Sequence, residues 1–189
     1  DGIDDWVDGS LCISLDVSDP LSVSIWVYSD ITPSNDAVFG IATTSSASTM
    51  YIYALGSVRA YGDRVLISSS LQPPGQAWYH LAYTYDGTTH RIYINGQEGG
   101  DSTETPDSGA ATLWRIGDRV RFGGRDFPGK LDDVRLFDRA LLRSEIETLY
   151  HGATVVADLD GDSDIDLDDF EMFVTEMGGP NVPLVSPAD

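Results

Sequence analysis

Apolar and polar residues alternate along much of the first 150 positions of this 189-residue chain. In the clearest stretch, every second residue from Leu21 to Val27 is aliphatic, and the residues between them are polar or aromatic. A period of two is typical of a β-strand with one buried face. Similar stretches recur at short intervals, which predicts an all-β fold. Further strands are predicted over residues 37–42, 50–55, 58–61, 64–68, 78–85, 91–95, 113–116 and 131–137.

Turn signals indicate how these strands connect. Asp86-Gly87 and Asn95-Gly96 stand at either end of the strand that begins near His90. Both dipeptides favour tight turns, because Asn, Asp and Gly tolerate the positive φ angles that such turns require. Short strands joined by tight turns form antiparallel meanders. The expected architecture is therefore an antiparallel β-sandwich.

The chain changes character after one predicted helix. Ser144 and Glu147 have the spacing of a capping box, and Gly152 is expected to end the helix. The net charge of the whole chain is −20, and residues 158–189 supply half of it with ten acidic residues and no Lys or Arg. This asymmetry predicts a sandwich domain over residues 1–152 and a small acidic module over residues 153–189.

Seven aspartates occur within residues 158–169. Numbered from Asp158, carboxylates occupy positions 1, 3, 5, 9 and 12, and Ile165 stands at position 8, which is the spacing of an EF-hand calcium loop. Ser163 replaces the usual glycine at position 6, and Asp169 replaces the usual glutamate at position 12. Oxygen ligands favour a hard cation, so calcium is the expected cofactor. The predicted ligands are Asp158, Asp160, Asp162, Asp164, Asp166 and Asp169.

A solvated acidic run is the alternative interpretation of this segment. The residues that follow it argue for a folded module, because they predict an amphipathic helix that Gly178-Gly179-Pro180 would end. A solvated tail needs no apolar face. The predicted docking helix presents Phe170, Phe173, Val174 and Met177 at helical spacing.

The loop and the helix together resemble one repeat of a dockerin, over about residues 157–180. The resemblance implies calcium-dependent docking to a cohesin-like domain or to another part of a secreted assembly. Dockerins contain two such repeats. Ala157-Asp158 recurs as Ala188-Asp189, so either a second repeat begins at residue 188 or the segment is a short tail.

Five sequence segments resemble the laminin-G-like, concanavalin A-like jelly roll in their order and spacing. They are residues 1–7, 23–28, 78–82, 91–96 and 129–137. The resemblance implies binding of carbohydrate or protein, often with calcium. Some members of this family bind calcium between acidic residues of the N-terminal segment and acidic residues of the last strand. In a strictly alternating strand only one of two adjacent aspartates faces inward, and surface acids beside Arg135 and Arg139 are the alternative. The implied second calcium site is Asp4, Asp5, Asp132 and Asp133.

Aromatic and basic side chains are the candidates for ligand binding. Aromatic rings stack on the C–H faces of sugars, although most rings in a sandwich belong to its core. Eight of the eleven basic residues fall between positions 115 and 143. They would recognise acidic sugars, meet the acidic module of the same or a neighbouring copy, or pair with nearby aspartates. The predicted ligand-binding residues are Trp26, Tyr51, Tyr53, Trp78, Arg119, Arg121 and Arg125.

Other function classes find little support in the residues. The acidic charge disfavours nucleic acid, and no apolar run has membrane-spanning length. No strand has the Glu-x-Asp-x-x-Glu pattern of jelly-roll glucanases, and no serine or cysteine nucleophile motif is present. We expect a secreted, non-catalytic calcium-binding protein that binds a polysaccharide or glycoprotein glycan. The alternative is a structural subunit of an extracellular filament, sheath or surface assembly, in which copies of the chain form a homopolymer.

Overall fold

The structure is a computed structural model that describes residues 6–29, 36–43, 49–54, 58–62, 64–106, 108–119 and 126–152. It consists of β-strands and one helix in this part of the chain, which confirms the predicted all-β class. The elements are β1 (Val7–Asp16), β2 (Leu21–Ser29), β3 (Asp36–Thr43), β4 (Thr49–Ala54), β5 (Val58–Tyr61), β6 (Val65–Ser68), β7 (Trp78–Tyr85), β8 (His90–Ile94), β9 (Gln97–Ser102), β10 (Ala110–Ile116), β11 (Gly129–Phe137) and α1 (Arg143–His151).

The strands form two antiparallel sheets. Sheet A has the order β1-β10-β3-β4-β5-β6, and sheet B has the order β11-β2-β7-β8-β9. In each sheet, strands that are far apart in sequence lie side by side, as in β1 with β10 and β2 with β11. The two sheets enclose one apolar core, which is the sandwich that the alternation predicts.

The core contains the inward-facing residues of both sheets. Leu21, Val23, Ile25 and Val27 on β2 are completely or almost completely buried in it. Three tyrosines of β7 face the same core, and burial raises the pKa values of all three phenols. Aromatic residues at alternate positions therefore serve packing in β7. These core tyrosines are Tyr79, Tyr83 and Tyr85.

The hairpin between β8 and β9 has the turn that Asn95-Gly96 predicts. Both residues have positive φ, 51° and 74°, and Ile94 pairs directly with Gln97, as in a two-residue type I′ turn. Strand β9 was not predicted, because Gln97-Glu98-Gly99-Gly100 has no apolar alternation. This position favours Gly99, since a Cβ there would displace the Ser69 hydroxyl group.

Helix α1 begins earlier than the capping-box pattern predicts. The carboxylate of Glu145 accepts the backbone N–H of Leu142 at 2.7 Å, so Glu145 caps the helix and the pairing of Ser144 with Glu147 is wrong. Two hydrogen bonds from Arg139, at 2.6 and 2.8 Å, hold this carboxylate in place. Together these contacts lower the pKa of Glu145 to about 2. Gly152 ends the helix with φ of 80°, as predicted.

Helix α1 covers part of the outer face of sheet B, the face that points away from the core. Ile146 and Leu141 are buried against Ala82 and Tyr93 of that sheet. The segment before the helix is anchored by Ser22, whose hydroxyl donates to the Arg139 carbonyl at 2.8 Å and accepts the Leu141 N–H at 2.9 Å. Ser22 and Ser24, the first outer residues of β2, are buried although they are polar.

The chain divides into two compact units, Asp1–Tyr150 and His151–Asp189. The predicted calcium loop and the docking helix lie outside the described residues, and both stay predictions. Within the described ranges, no helix is long and apolar enough to cross a membrane.

We expect Ile146→Ala to destabilise the domain by about 2–4 kcal/mol, because the side chain is completely buried between α1 and sheet B. Leu142→Ala is the matched control, since that leucine is 68% exposed and should change stability by less than about 0.5 kcal/mol. Urea unfolding of both variants measures the difference. Equal stabilities would contradict the placement of the helix.

Candidate ligand-binding surfaces

One group of tyrosines lies on the outer face of sheet A. Strand β4 points Met50 and Ile52 into the core, so Tyr51 and Tyr53 point outward. Strand β5 adds Tyr61, which pairs directly with Tyr51 across the two strands. Arg59, which pairs with Tyr53, lies on the same face. We call Tyr51, Tyr53, Arg59 and Tyr61 the tyrosine face.

The three rings of the tyrosine face are in contact. The centroids of Tyr51 and Tyr53 are 5.4 Å apart, those of Tyr53 and Tyr61 are 5.0 Å apart, and both pairs meet edge to face. Tyr51 and Tyr61 lie more nearly parallel, 6.3 Å apart. Arg59 Nη1 donates to the Tyr61 hydroxyl at 3.3 Å. Tyr51 and Tyr61 remain partly exposed, whereas Tyr53 is 7% exposed and supports them. The result is an aromatic surface edged by hydroxyl and guanidinium groups.

Arg119 follows β10, which is a strand of the same sheet as the tyrosine face. The backbone N–H of Gly117 donates to the Val38 carbonyl at 3.1 Å, which places the segment after β10 beside the start of β3. Ala37 of β3 pairs in turn with Tyr53. Asp118 is buried and accepts the Arg119 N–H at 2.6 Å. Arg121 and Arg125 lie outside the described residues.

A second aromatic group lies on the outer face of sheet B. Tyr28 pairs with Trp78 on one side and with Lys130 on the other, and we call these three residues the indole row. The rings of Tyr28 and Trp78 are 5.7 Å apart, and the Lys130 ammonium lies 5.4 Å from the Tyr28 ring centroid. Trp78 is 42% exposed. Gly129 permits the close approach of β11, because a Cβ there would clash with the Tyr28 carbonyl oxygen.

Trp26 is on the same outer face but has a packing role. Its ring lies 5.5 Å from His80 and 6.0 Å from Tyr150 of α1, so the last turn of the helix covers part of it. The predicted aromatic residues therefore do not form one surface. Tyr51 and Tyr53 lie on sheet A, and Trp26 and Trp78 lie on sheet B. Alternation within β5 would have added Tyr61 to the candidates.

Two histidines are buried, and both are neutral at pH 7. His80 shares a 2.8 Å hydrogen bond with Ser24, and its Nδ1 has no hydrogen-bond partner in the described part of the chain. Burial lowers its pKa from 6.5 to about 4. His90 bonds the Tyr83 hydroxyl and the Glu104 carbonyl, both at 2.7 Å, and burial lowers its pKa as well. Their contacts are those of structural residues.

The described basic residues between positions 115 and 143 lie on β10, β11 and α1 and in the segments that follow the two strands. Apart from the mostly buried pair of Arg115 with Asp118, their ion pairs are at least partly exposed and contribute little to stability individually, and all of them reduce the local positive potential. Arg115 also lies 4.9 Å from the ring of Trp6. The ion pairs are Arg115 with Asp8 and Asp118, Arg135 with Asp133, Arg139 with Glu145, and Arg143 with Glu147.

Asp132 and Asp133 do not alternate as the sequence predicts. The register of β11 against β2 shifts after Asp132, Asp133 has φ of 47°, and both side chains are exposed. Neither side chain faces inward, and Asp133 pairs with Arg135, as in the alternative of surface acids. Asp4 and Asp5 lie outside the described residues, so the second calcium site stays a prediction. Among the residues with described positions, no three His, Cys, Asp or Glu side chains are grouped for a metal.

A cavity of about 210 Å³ lies near the ends of β1, β10 and β11. Its lining is mainly apolar, which does not suit the hydroxyl groups of a sugar. The lining residues are Trp6, Val7, Ile116, Gly117, Phe127, Gly129 and Leu131.

Residues 1–147 match a laminin G family model described as the concanavalin A-like lectin/glucanases superfamily. Mouse (Mus musculus) pappalysin-1 is 30% identical over 116 residues, which are 58% of this chain and 7% of that protein. The chain thus spans about 7% of the length of the curated relative that it matches.

Solved structures share the fold. One is domain 4 of AbnA, a GH43 extracellular arabinanase of Geobacillus stearothermophilus, in complex with arabinotriose. The match has a TM-score of 0.59 at 23% sequence identity, and it covers 74% of this chain and 68% of that chain. Another is the CBM40 domain of the Ruminococcus gnavus IT-sialidase, bound to α2,3-sialyllactose. Its TM-score is 0.58 at 10% identity, covering 76% of this chain and 98% of that one.

We expect His80 to make the stability of the domain depend on pH. The unfolded chain takes up this proton near pH 6.5, whereas the folded chain takes it up near pH 4. Its contribution is therefore fully present above pH 6.5 and decreases on acidification to pH 4, by at most about 3 kcal/mol. Urea unfolding between these pH values measures the slope.

His80→Leu should reduce this slope, because the residue can no longer bind a proton. His151→Gln, which removes an exposed histidine of the same chain, should leave it unchanged. A slope that His80→Leu does not alter would refute the assignment.

Proposed function

The chain belongs to the concanavalin A-like lectin/glucanases superfamily, and we propose that it is a non-catalytic saccharide-binding module of an extracellular protein. The ligand is a polysaccharide or the glycan of a glycoprotein, and the binding surface is the tyrosine face of sheet A. The observation that carries this proposal is the contact of three tyrosine rings, 5.0–6.3 Å apart, with a guanidinium group beside them.

The chemistry of the tyrosine face matches that of a sugar ring. The C–H groups of a sugar pack on aromatic faces, and its hydroxyl groups exchange hydrogen bonds with phenol and guanidinium groups. Tyr51 and Tyr61 offer both kinds of group and are partly exposed. Arg59 holds the Tyr61 hydroxyl, so this ring is oriented before a ligand arrives.

The rigidity of the surface also supports binding. All four residues of the tyrosine face lie on the paired strands β4 and β5, and their neighbours in these strands are buried in the core. A ligand that binds there does not need to order a loop, so it loses less free energy on binding.

The comparisons support saccharide as the ligand class. Domain 4 of the arabinanase is in complex with arabinotriose, and the sialidase CBM40 domain is bound to α2,3-sialyllactose. These two ligands are a neutral and an anionic oligosaccharide, and both belong in the first test of this chain. An extracellular location agrees with ligands of this class.

We further propose that the acidic module binds calcium through Asp158, Asp160, Asp162, Asp164, Asp166 and Asp169, and that the docking helix Phe170–Met177 attaches the chain to a cohesin-like domain. Support for calcium comes from the spacing of the carboxylates and the apolar helix that follows them.

We expect Tyr61→Ala to weaken the binding of a neutral polysaccharide about ten-fold, because it removes a ring of the tyrosine face and the partner of Arg59. Affinity electrophoresis in gels that contain arabinan, galactomannan or xyloglucan measures the change. Tyr61→Phe retains the ring and should lose only about two- to three-fold.

Trp6→Ala is the matched control, since Trp6 is an exposed aromatic residue outside the tyrosine face. It should bind as the unaltered protein does. The same gels should show no depolymerisation of the polysaccharide. If Tyr61→Ala binds as tightly as Trp6→Ala, the tyrosine face is not the binding surface.

We expect calorimetric titration of the full chain with calcium to show binding in the range of about 10⁻⁶ to 10⁻³ M. Asp158→Ala should weaken this binding at least ten-fold, because it removes the first ligand of the loop. Asp101→Ala, which removes an exposed carboxylate of β9, should have no effect. Absence of heat at millimolar calcium would disprove the site.

A further inference from the structure

We propose that the indole row is a second saccharide site, selective for neutral glycans, on the opposite layer of the sandwich from the tyrosine face. With both sites occupied, one domain holds two glycan chains and cross-links them. The second site stands independently of the tyrosine face, whereas cross-linking rests on the proposed function.

Trp78 is exposed because of its place in the strand register. Its neighbour Tyr79 points into the core, so Trp78 points outward beside Tyr28. Helix α1 covers the adjacent pair, Trp26 and His80, through Tyr150. Tyr28 and Trp78 of the indole row are the next outward-facing pair along the two strands, beyond the pair that Tyr150 contacts. An indole that is 42% exposed beside a partly exposed phenol is an aromatic platform that water and ligands reach.

Polar groups on β11, along one side of the rings, match the hydroxyl groups of a sugar. Lys130 provides a donor above Tyr28, and within the described part of the chain its ammonium has no ion-pair partner. Asp132 pairs with Trp26 and is exposed. One of its oxygens accepts the Asp133 N–H at 2.8 Å, and a carboxylate has capacity for further hydrogen bonds. Stacking rings with a donor and an acceptor beside them are the elements of a sugar site.

The charges favour a neutral glycan over an acidic one. Lys130 and Asp132 are separated by one residue on the same strand, so their charges largely cancel at the distance of a ligand. The chain as a whole has a net charge of −20, which repels a polyanion. Binding at the indole row should therefore be almost independent of salt concentration.

The two surfaces are separated by the core. Tyr51 and Tyr61 face outward from sheet A, and Tyr28 and Trp78 face outward from sheet B. Packed sheets are about 10 Å apart, with outward side chains added on both sides. A short oligosaccharide cannot reach both surfaces at once, so two sites imply two ligands.

The test uses the full chain with arabinan, galactomannan and xyloglucan as probes, because these polysaccharides are neutral. The chain has four tryptophans, of which only Trp78 belongs to either proposed surface, so an emission shift that Trp78→Ala abolishes reports on the indole row. We expect the polysaccharide that retards the protein in a gel to shift the tryptophan emission. The same polysaccharide should precipitate together with the protein, because a protein with two sites cross-links the chains. Trp78→Ala should abolish the emission shift and the precipitation, and should retain binding through the tyrosine face.

Companion variants separate the two surfaces. Tyr61→Ala should retain the emission shift but lose precipitation, and Trp78→Ala combined with Tyr61→Ala should lose at least ten-fold more affinity than either change alone. Trp78→Phe should restore the binding that Trp78→Ala loses. Trp6→Ala, which alters an exposed tryptophan elsewhere, should match the unaltered protein in every assay except for a constant loss of emission.

The outcomes distinguish this proposal from the function of the tyrosine face. Unchanged precipitation in Trp78→Ala would overturn the second site and leave the tyrosine face intact. Loss of all binding in Trp78→Ala, with full binding in Tyr61→Ala, would overturn the tyrosine face and support the indole row. Selectivity for neutral glycans at the indole row would be overturned if none of the three neutral polysaccharides retarded the protein. It would also be overturned if binding were lost above 0.5 M salt, where the screening length is about 4 Å.

Discussion

The burial of the first half of β2 on both of its faces is the constraint on which the rest of the domain depends. Its inner residues lie in the core between the sheets, and its outer serines bond the closing segment and His80. Most buried polar groups are paired, and a shift in the register of β2 with β7 and β11 would leave the Ser22 and Ser24 hydroxyl groups and His80 Nε2 without their partners. This pairing also anchors α1, because Ser22 holds the residues that lead into the helix.

The candidate binding surfaces follow from that register. Once alternate residues of β2, β4, β5 and β7 are committed to the core, their neighbours point outward, and several of these are aromatic. The length of α1 then decides which aromatic residues remain exposed on sheet B. Tyr150 covers Trp26, whereas Tyr28 and Trp78 lie beyond it. Packing, with no special loop, thus produces two aromatic surfaces on one small domain.

Long alternating stretches were predictable, and exceptions to alternation were not. The turns at Asp86-Gly87 and Asn95-Gly96 carry their own signal, because few residues adopt positive φ. Strand β9 has little apolar content and forms because β8 offers a free edge. Asp132 and Asp133 are both exposed because the register of β11 shifts after Asp132, and the spacing of residues in the sequence does not predict this shift. Glu145 caps α1 instead of Ser144 because Arg139, six residues earlier, holds its carboxylate.

By itself the sequence determined the all-β class, the main strands, the hairpin turns and the residue types suited to sugars, because period, turn chemistry and side-chain chemistry are local properties. It also determined the carboxylate spacing of the acidic module. Only the tertiary structure decided which aromatic residues share a surface. That depends on strand order and on the reach of α1, which bring together Tyr51 with Tyr61 and Tyr28 with Trp78 across separate strands. Residue spacing shows neither contact, because Tyr51 meets Tyr61 through the register of β4 with β5, and Tyr28 meets Trp78 across strands that are distant in sequence. Such register is set by which strand faces are buried in the common core.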